Sequence, residues 1–322
     1  MQAIRVHEFG GPAVLIPEDV PEPVAGRGEV VVRMVASNVG YLDTLLRSGW
    51  GGEFFPIELP YVPGGGGAGR VLHVGPDVDP DWLGRRVVAR VSGGYAEHAV
   101  AKAEELVDVP EQVPWPEAAA LVHDGVTALG LVLEGKIVAG EWVLVAAATG
   151  GAGSLVVQLA RAAGARVIAA ARGAQKLALA GELGAEVTVD YSLPGWTDDV
   201  RKAAGGDGVA LAFDGAGGEL GRAAFDTVAD GGRFITYGSS NGDLVQIDEE
   251  EATRRGVRAV SLLEAGSPGL AVMRARLAEA LESVAQGSLR PVIGASFPLE
   301  RAADAHASLE QRKTIGKSLL LV

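Results

Sequence analysis

Trp142-Val-Leu-Val-Ala-Ala-Ala-Thr-Gly-Gly-Ala-Gly-Ser-Leu-Val-Val-Gln-Leu-Ala160 decides the fold. Trp142 to Ala147 is a short apolar run with β-branched residues, the length of a buried strand. Gly150, Gly151 and Gly153 follow, and then Leu155, Val156, Leu159, Ala160 and Ala163 fall at helical spacing. Strand, glycine turn and helix in that order form the first unit of a dinucleotide-binding βαβ. The glycines let the backbone turn tightly beside a pyrophosphate, and the free N–H groups at the helix N-terminus meet its charge. The pattern is Ala147-x-x-Gly150-x-x-Gly153 rather than a strict G-x-G-x-x-G, so plainer readings stand beside it. One is a simple strand-to-helix turn. Another is a transmembrane span, but a span of about 20 residues is evenly apolar. The break at Thr149-Gly-Gly-Ala-Gly153, with Arg161 and Arg166 close behind, argues against that.

The next strand is Arg166-Val-Ile-Ala-Ala-Ala-Arg172. In an NAD-binding fold an acid about 20 residues past the glycines takes the ribose hydroxyls. Here the strand ends in Arg172, Gly173 and Lys176, with no acid. Two cations there suit the 2′-phosphate of NADPH; the plainer alternative is a solvated helix start.

The chain has 322 residues, 48% hydrophobic, with 46 glycines, which allows two domains. Met1 leads directly into the strand-like Ala3-Ile4-Arg5-Val6 without a basic-then-apolar leader, so no secretory signal is expected. The absence of cysteine removes disulfides, thiolate nucleophiles and cysteine zinc sites together. A net charge of -13 opposes nucleic acid or an anionic membrane as partner. These features describe a soluble, cytoplasmic α/β protein.

Residues 1 to about 116 read as strands and turns: Glu29–Val35, Gly69–Gly75 and Arg86–Val91, separated by Gly-Pro and Pro-Glu-Pro punctuation. Ala36 to Gly49 lies between the first two strands, and a long loop follows it, ending in the glycine-rich Pro60 to Gly69; polar, glycine-rich loops such as these often carry sites. From Pro116 the texture becomes α/β. A helix spans Ala118 to Leu133, and later strands are Glu186–Asp190, Val209–Asp214 and Arg233–Gly238. Ligands of open α/β sheets bind outside the strands' carboxyl ends, so the turns at Gly215–Gly218 and Gly238–Gly242 are expected around the cofactor. Glu249-Glu-Glu251 reads as a solvated face, and Leu270, Met273, Leu277, Leu281 and Val284 as an amphipathic helix. The nucleotide domain, residues 118–260, is expected to be inserted into a domain formed by residues 1–117 and 261–322.

Motifs in one order from end to end now carry a resemblance. Asn38-Val-Gly-Tyr-Leu-Asp43 with Arg47-Ser-Gly49, Pro63-Gly64 to Gly69, and Gly125-Val-Thr-Ala128 precede the nucleotide loop. Phe213-Asp214 with Gly217-Gly218, Gly232-Arg-Phe, Leu289 to Gly294 and Gly316-Lys317 follow it. The chain resembles the zinc-independent medium-chain dehydrogenase/reductases, in particular the NADPH:quinone oxidoreductase (zeta-crystallin-like) group. The resemblance implies a GroES-like, mainly β catalytic domain with an inserted Rossmann domain. Zinc-dependent relatives carry a cysteine where Asn38 stands and Gly-His-Glu where Gly64-Gly65-Gly66 stands, so no catalytic zinc of that kind is expected. Gly66 also departs from the quinone reductases, which usually keep the Glu, and Leu45 stands where they often have Tyr; Tyr41 is nearby.

The implied reaction is hydride transfer from NADPH to a quinone or similar conjugated carbonyl. Such an acceptor spreads its charge, whereas a saturated ketone calls for a Lewis acid. By the resemblance, Thr127 lies near the nicotinamide, and Thr149, Gly150, Gly151 and Ala152 near the pyrophosphate. Arg172, Lys176 and Tyr191 lie at the adenosine phosphate, and Gly215, Gly238, Ser239, Gly316 and Lys317 close over the cofactor. Asn38, Tyr41 and Asp43, with Thr127, are the candidate catalytic residues. Asn38 and Asp43 can equally serve loop-internal hydrogen bonds, and Tyr191 can be a plain surface aromatic. His123 can relay a proton or be structural. His7, His73, His98 and His306 show no ligand spacing, and no G-x-S-x-G supports hydrolase chemistry. Rival readings are an enoyl or alkenal double-bond reductase with the same cofactor, and a crystallin-like protein that only binds NADPH. A homodimer is implied, paired edge to edge through Gly256–Leu263.

Overall fold

The computed structural model describes residues 1–50, 56–262, 266 and 268–322. They divide into two units, Met1–Val126 with Leu270–Val322, and Thr127–Gly269. The sequence reading puts these boundaries at 117/118 and 260/261. No loop marks the first, because one helix runs through it. The first unit opens with β1 (Gln2–Arg5), β2 (Ile16–Asp19), β3 (Glu29–Val39) and α1 (Tyr41–Arg47). It continues with β4 (Gly66–Val74), β5 (Arg86–Arg90), β6 (His98–Lys102), β7 (Val107–Asp108) and α2 (Trp115–Gly135). By length and composition α2 could cross a membrane, but 61% of its most apolar stretch is buried inside the protein, as in a core helix.

The second unit alternates strand and helix: β8 (Trp142–Ala146), α3 (Gly151–Ala162), β9 (Arg166–Ala171), α4 (Ala174–Glu182), β10 (Val187–Asp190) and α5 (Trp196–Ala203). Then come β11 (Val209–Asp214), α6 (Gly218–Asp226), β12 (Val228–Thr236), α7 (Glu249–Arg254) and β13 (Arg258–Ser261). All six strands are parallel, in the order β10-β9-β8-β11-β12-β13. This is the doubly wound Rossmann order, with its switch point between β8 and β11. The central strands are apolar up to Asp214 at the end of β11, because helices cover both faces; Val143, Leu144, Val145, Leu211, Ala212 and Phe213 have no exposed surface. Phe225 of α6 packs edge-on against Phe234 of β12, centroids 5.4 Å apart. β13 is an edge strand and contains four of the eight residues of the segment expected to pair, Gly256–Leu263; Leu263 lies outside the described residues.

The chain then returns to the first unit with α8 (Leu270–Ala285), β14 (Ile293–Pro298), α9 (Ala302–Glu310) and β15 (Lys317–Leu321). The main sheet runs β14-β15-β3-β4-β5-β7, and β6 also pairs with β3. Its core gathers Val30, Val32, Met34, Val71, Val87 and Leu106.

Three local readings change. Ala36 to Gly49 is not a loop: β3 extends to Val39 and α1 follows at once, because Asp43 Oδ2 accepts the Gly40 N–H at 2.7 Å and caps the helix. The glycine run is in part a strand, since β4 starts at Gly66. A Cβ at Gly67 would come 2.5 Å from the Ala36 carbonyl oxygen, so glycine lets β3 and β4 close. Glu249 to Glu251 opens α7 beneath the Asp248 cap, where acids suit the helix dipole. Glu251 also pairs with Arg222 at 2.8 Å, so it is not merely solvated.

Candidate active site

In the second unit the turn after β8 turns sharply back. Ala147 sits at φ 57°, a conformation that costs a non-glycine residue energy. Its carbonyl accepts the Gly150 N–H at 3.0 Å. A Cβ on Gly153 would collide with that same carbonyl, so glycine is what allows α3 to close on β8. Gly150 caps α3 without a side chain, and the N–H groups of Gly151, Ala152 and Gly153 have no acceptor among the described residues. Thr149 is buried beneath the turn.

Beside it, β9 ends in Arg172, exposed, and Gly173 at φ 84°; Lys176, half-buried, stands on the first turn of α4. Sequence reasoning missed Asp190, at the end of β10. Its carboxylate accepts from the Ser192 hydroxyl (2.6 Å), the Ser192 N–H (2.9 Å) and the Gly173 N–H (2.9 Å). Those bonds, led by the Ser192 hydroxyl, hold its pKa below the ordinary value, with the Arg172 charge adding to them. The signal was the Asp-x-Ser spacing, an Asx turn at a strand end. Tyr191 donates its N–H to Ala171 (3.2 Å) and packs edge-on to Trp196, centroids 6.4 Å apart. The turns after β11 and β12 lie on each other: a Cβ at Gly215 would be 2.6 Å from the Tyr237 ring, and one at Gly238 2.9 Å from the Gly215 oxygen. Buried Asp214 ties the first turn, accepting from Ala216 N–H at 2.9 Å and Gly217 N–H at 3.1 Å. Burial raises its pKa against those bonds.

In the first unit, Leu319 of β15 is opposite Asn38 of β3, and Ser37 is opposite Gly67 of β4. Three adjacent strands thus bring Lys317, Asn38 and Gly66 together. Asn38, 3% exposed, donates to the Ala119 carbonyl of α2 at 3.5 Å. Lys317 Nζ lies 3.1 Å from Asp124 Oδ2. Burial pushes the Asp43 carboxyl up to about 6, against its bonds from Gly40 and Tyr95 and the charge of Lys317. The Tyr95 hydroxyl lies 3.0 Å from His306 Nε2, and burial lowers that imidazole to about 3. Arg47, almost fully buried, pairs with Glu310 and ties α1 to α9.

With this geometry in place, likeness to known proteins becomes decisive. Residues 26–111 match the alcohol dehydrogenase GroES-like domain and residues 183–320 the zinc-binding dehydrogenase family. The whole chain is 32% identical to the quinone oxidoreductase of Sus scrofa, covering 98% of it. The chain belongs to the quinone oxidoreductase group of the medium-chain dehydrogenase/reductases. It is also 31% identical to a 2-haloacrylate reductase of a Burkholderia species, over 100% of this chain and 99% of that one. The Escherichia coli quinone oxidoreductase complexed with NADPH has the same fold, with a TM-score of 0.92, 27% identity and full coverage of both chains.

This quinone oxidoreductase homologue places Thr149, Gly150, Gly151, Ala152, Arg172, Lys176, Tyr191, Gly215, Gly238 and Ser239 just beyond the carboxyl ends of parallel strands. A glycine-lined turn with three free N–H groups at the switch point, flanked by two cations, fits a phosphorylated dinucleotide. Thr127 stands midway along α2. Lys317 and Gly316 belong to the first unit. The Lys317 charge is matched by Asp124, and a Cβ at Gly316, at φ 69°, would collide with the Val292 carbonyl. Among the described residues no group of three or more His, Asp or Glu could hold a metal ion.

Proposed function

We propose that the protein is an NADPH-dependent oxidoreductase that reduces a quinone or a similar conjugated carbonyl compound. The observation that carries this reading is the uncapped α3 N-terminus at the sheet's switch point, with Arg172 and Lys176 beyond the neighbouring strand. NADPH, when bound, supplies a hydride from its nicotinamide ring. The N–H groups of Gly151, Ala152 and Gly153 bind the diphosphate. Arg172 and Lys176 neutralise the 2′-phosphate, with Tyr191 beside the adenosine. Thr127 positions the nicotinamide. Tyr41, the first residue of α1 and only half-buried, faces the acceptor more readily than Asn38 or Asp43, which are held in internal hydrogen bonds. We also propose that the protein works in the cytoplasm as a homodimer joined along β13, whose outer edge has no strand neighbour among the described residues.

The test is oxidation of NADPH and of NADH with 1,2-naphthoquinone and 1,4-benzoquinone, with and without a chelator. Chelator-insensitive turnover that prefers NADPH supports the reading. Tight NADPH binding with turnover of enones alone turns it into a double-bond reductase, in line with the 2-haloacrylate reductase likeness. Binding without any turnover leaves an NADPH-binding protein. Sedimentation of the wild type and of an Ala259→Pro variant tests the β13 dimer.

A further inference from the structure

Position 65 has no side chain, and a Cβ built there would have only the His123 ring within 4 Å among the described residues, with Nε2 at 3.7 Å. Gly65 is exposed, so this space opens to solvent on one side and is bounded by imidazole on the other. One residue on, the ring leaves no room: a Cβ at Gly66 would lie 2.8 Å from His123 Cε1. His123 follows Ala119 by four residues, and Ala119 carries the carbonyl that Asn38 binds. Asn38 and His123 therefore meet the same face of α2.

His123 Nδ1 is sealed from solvent and has no hydrogen-bond partner among the described residues. Burial, and then the Lys317 charge, hold the ring's pKa down to about 4, against the pull of Asp124; Arg90 adds to the lowering. At neutral pH the ring is uncharged and carries one N–H. A sealed lone pair is better tolerated than a sealed N–H, so the proton belongs on Nε2, the nitrogen facing the open position.

We propose that His123 presents its Nε2–H into the space beside Gly65 as a hydrogen-bond donor to the carbonyl oxygen of the acceptor, and so selects carbonyl-bearing acceptors. This rests on the oxidoreductase reading above. The ring is a donor of a hydrogen bond and not the proton source, because giving up its only N–H would leave an imidazolate. Solvent supplies the proton that accompanies the hydride.

Two measurements test it. In the first, wild type, His123→Leu and His123→Gln are compared in turnover of 1,2-naphthoquinone and in NADPH binding by fluorescence. The leucine variant is expected to lose about tenfold or more in kcat/KM for the quinone, the order of one lost hydrogen bond. NADPH affinity should hold, and glutamine, whose amide reaches near the Nε2 position, should restore most of the activity. Equal losses in both variants, or none in either, overturn the proposal while leaving the oxidoreductase reading intact. In the second, the protein's five histidines are labelled with 15N and the NADP+-loaded protein is titrated with duroquinone, which cannot be reduced there. A shift of the His123 Nε2 resonance is expected. A shift with NADP+ alone and none with duroquinone overturns the proposal. If the wild type turns over no acceptor, the oxidoreductase reading fails, and the titration still decides what His123 binds.

Discussion

Lys317 and Asp124 form an ion pair of 3.1 Å whose side chains are 9% and 19% exposed. The pair joins the first residue of β15 to α2, alongside the strand that carries Asn38. Removing one partner of a well-buried pair costs about 3 to 5 kcal/mol, because the other charge stays behind uncompensated. Urea unfolding should show Lys317→Met and Asp124→Asn each losing about 2 to 3 kcal/mol, toward the lower side because Asp124 is partly open. The double variant should lose less than the sum of the two. Strict additivity would mean that the two charges do not depend on each other.

Gly153 and Gly150 separate the fold's need for glycine from the ligand's. At Gly153 an added methyl strikes the Ala147 carbonyl, so Gly153→Ala should lose about 1 to 3 kcal/mol and bind NADPH at least about tenfold more weakly. At Gly150 the methyl would lie 3.4 Å from that oxygen, and the residue has an ordinary φ of -75°. Gly150→Ala should therefore unfold within about 0.5 kcal/mol of wild type. Thermal melting and NADPH titration of the two variants check this. Equal stability losses would sink the distinction.

The same contrast shows what the sequence made legible. The Trp142–Ala160 stretch carried its own punctuation, so strand, turn and helix were readable from composition and period alone. Gly66–Gly69 was misread because a glycine run looks the same whether it frees a loop or lets two strands close. What decides is Met34 and Ala36 on β3, which are distant in sequence. Asp43 was ambiguous for a similar reason: an acid in such a stretch can serve an internal hydrogen bond or catalyse, and only the Gly40 bond shows that it caps α1. The pairing of Lys317 with Asp124 spans most of the chain, and no local pattern announces it.

Arg172 and Lys176 should set the choice between cofactors. Charge-assisted hydrogen bonds are worth roughly 1.5 to 3 kcal/mol, or about 10- to 100-fold. Replacing both by glutamine should lower kcat/KM for NADPH by that factor and leave NADH within about threefold. The ratio of the two, measured with one quinone at fixed salt, is the readout. A parallel fall with both cofactors would place these cations away from the 2′-phosphate.

Asp43 should make stability depend on pH in a defined direction. Its folded pKa, about 6, lies above the ordinary 3.8 because burial disfavours the carboxylate. The folded state therefore holds the proton more tightly than the unfolded chain does. That contribution is fully present below about pH 4 and is lost as pH rises through about 6. Above that, the buried charge costs on the order of 2 kcal/mol. Asp43→Asn keeps an oxygen for the Gly40 N–H but cannot ionise, so it should be more stable than wild type at pH 8 and about equal at pH 4. His306, with its pKa lowered to about 3, acts in the opposite sense. The unfolded chain takes up that proton below about 6.5, so acid costs stability in wild type and in Asp43→Asn alike. The difference between the two proteins isolates the carboxyl. Urea unfolding at pH 4, 6 and 8 measures it, and a difference that does not grow with pH would show that Asp43 is not the group that titrates.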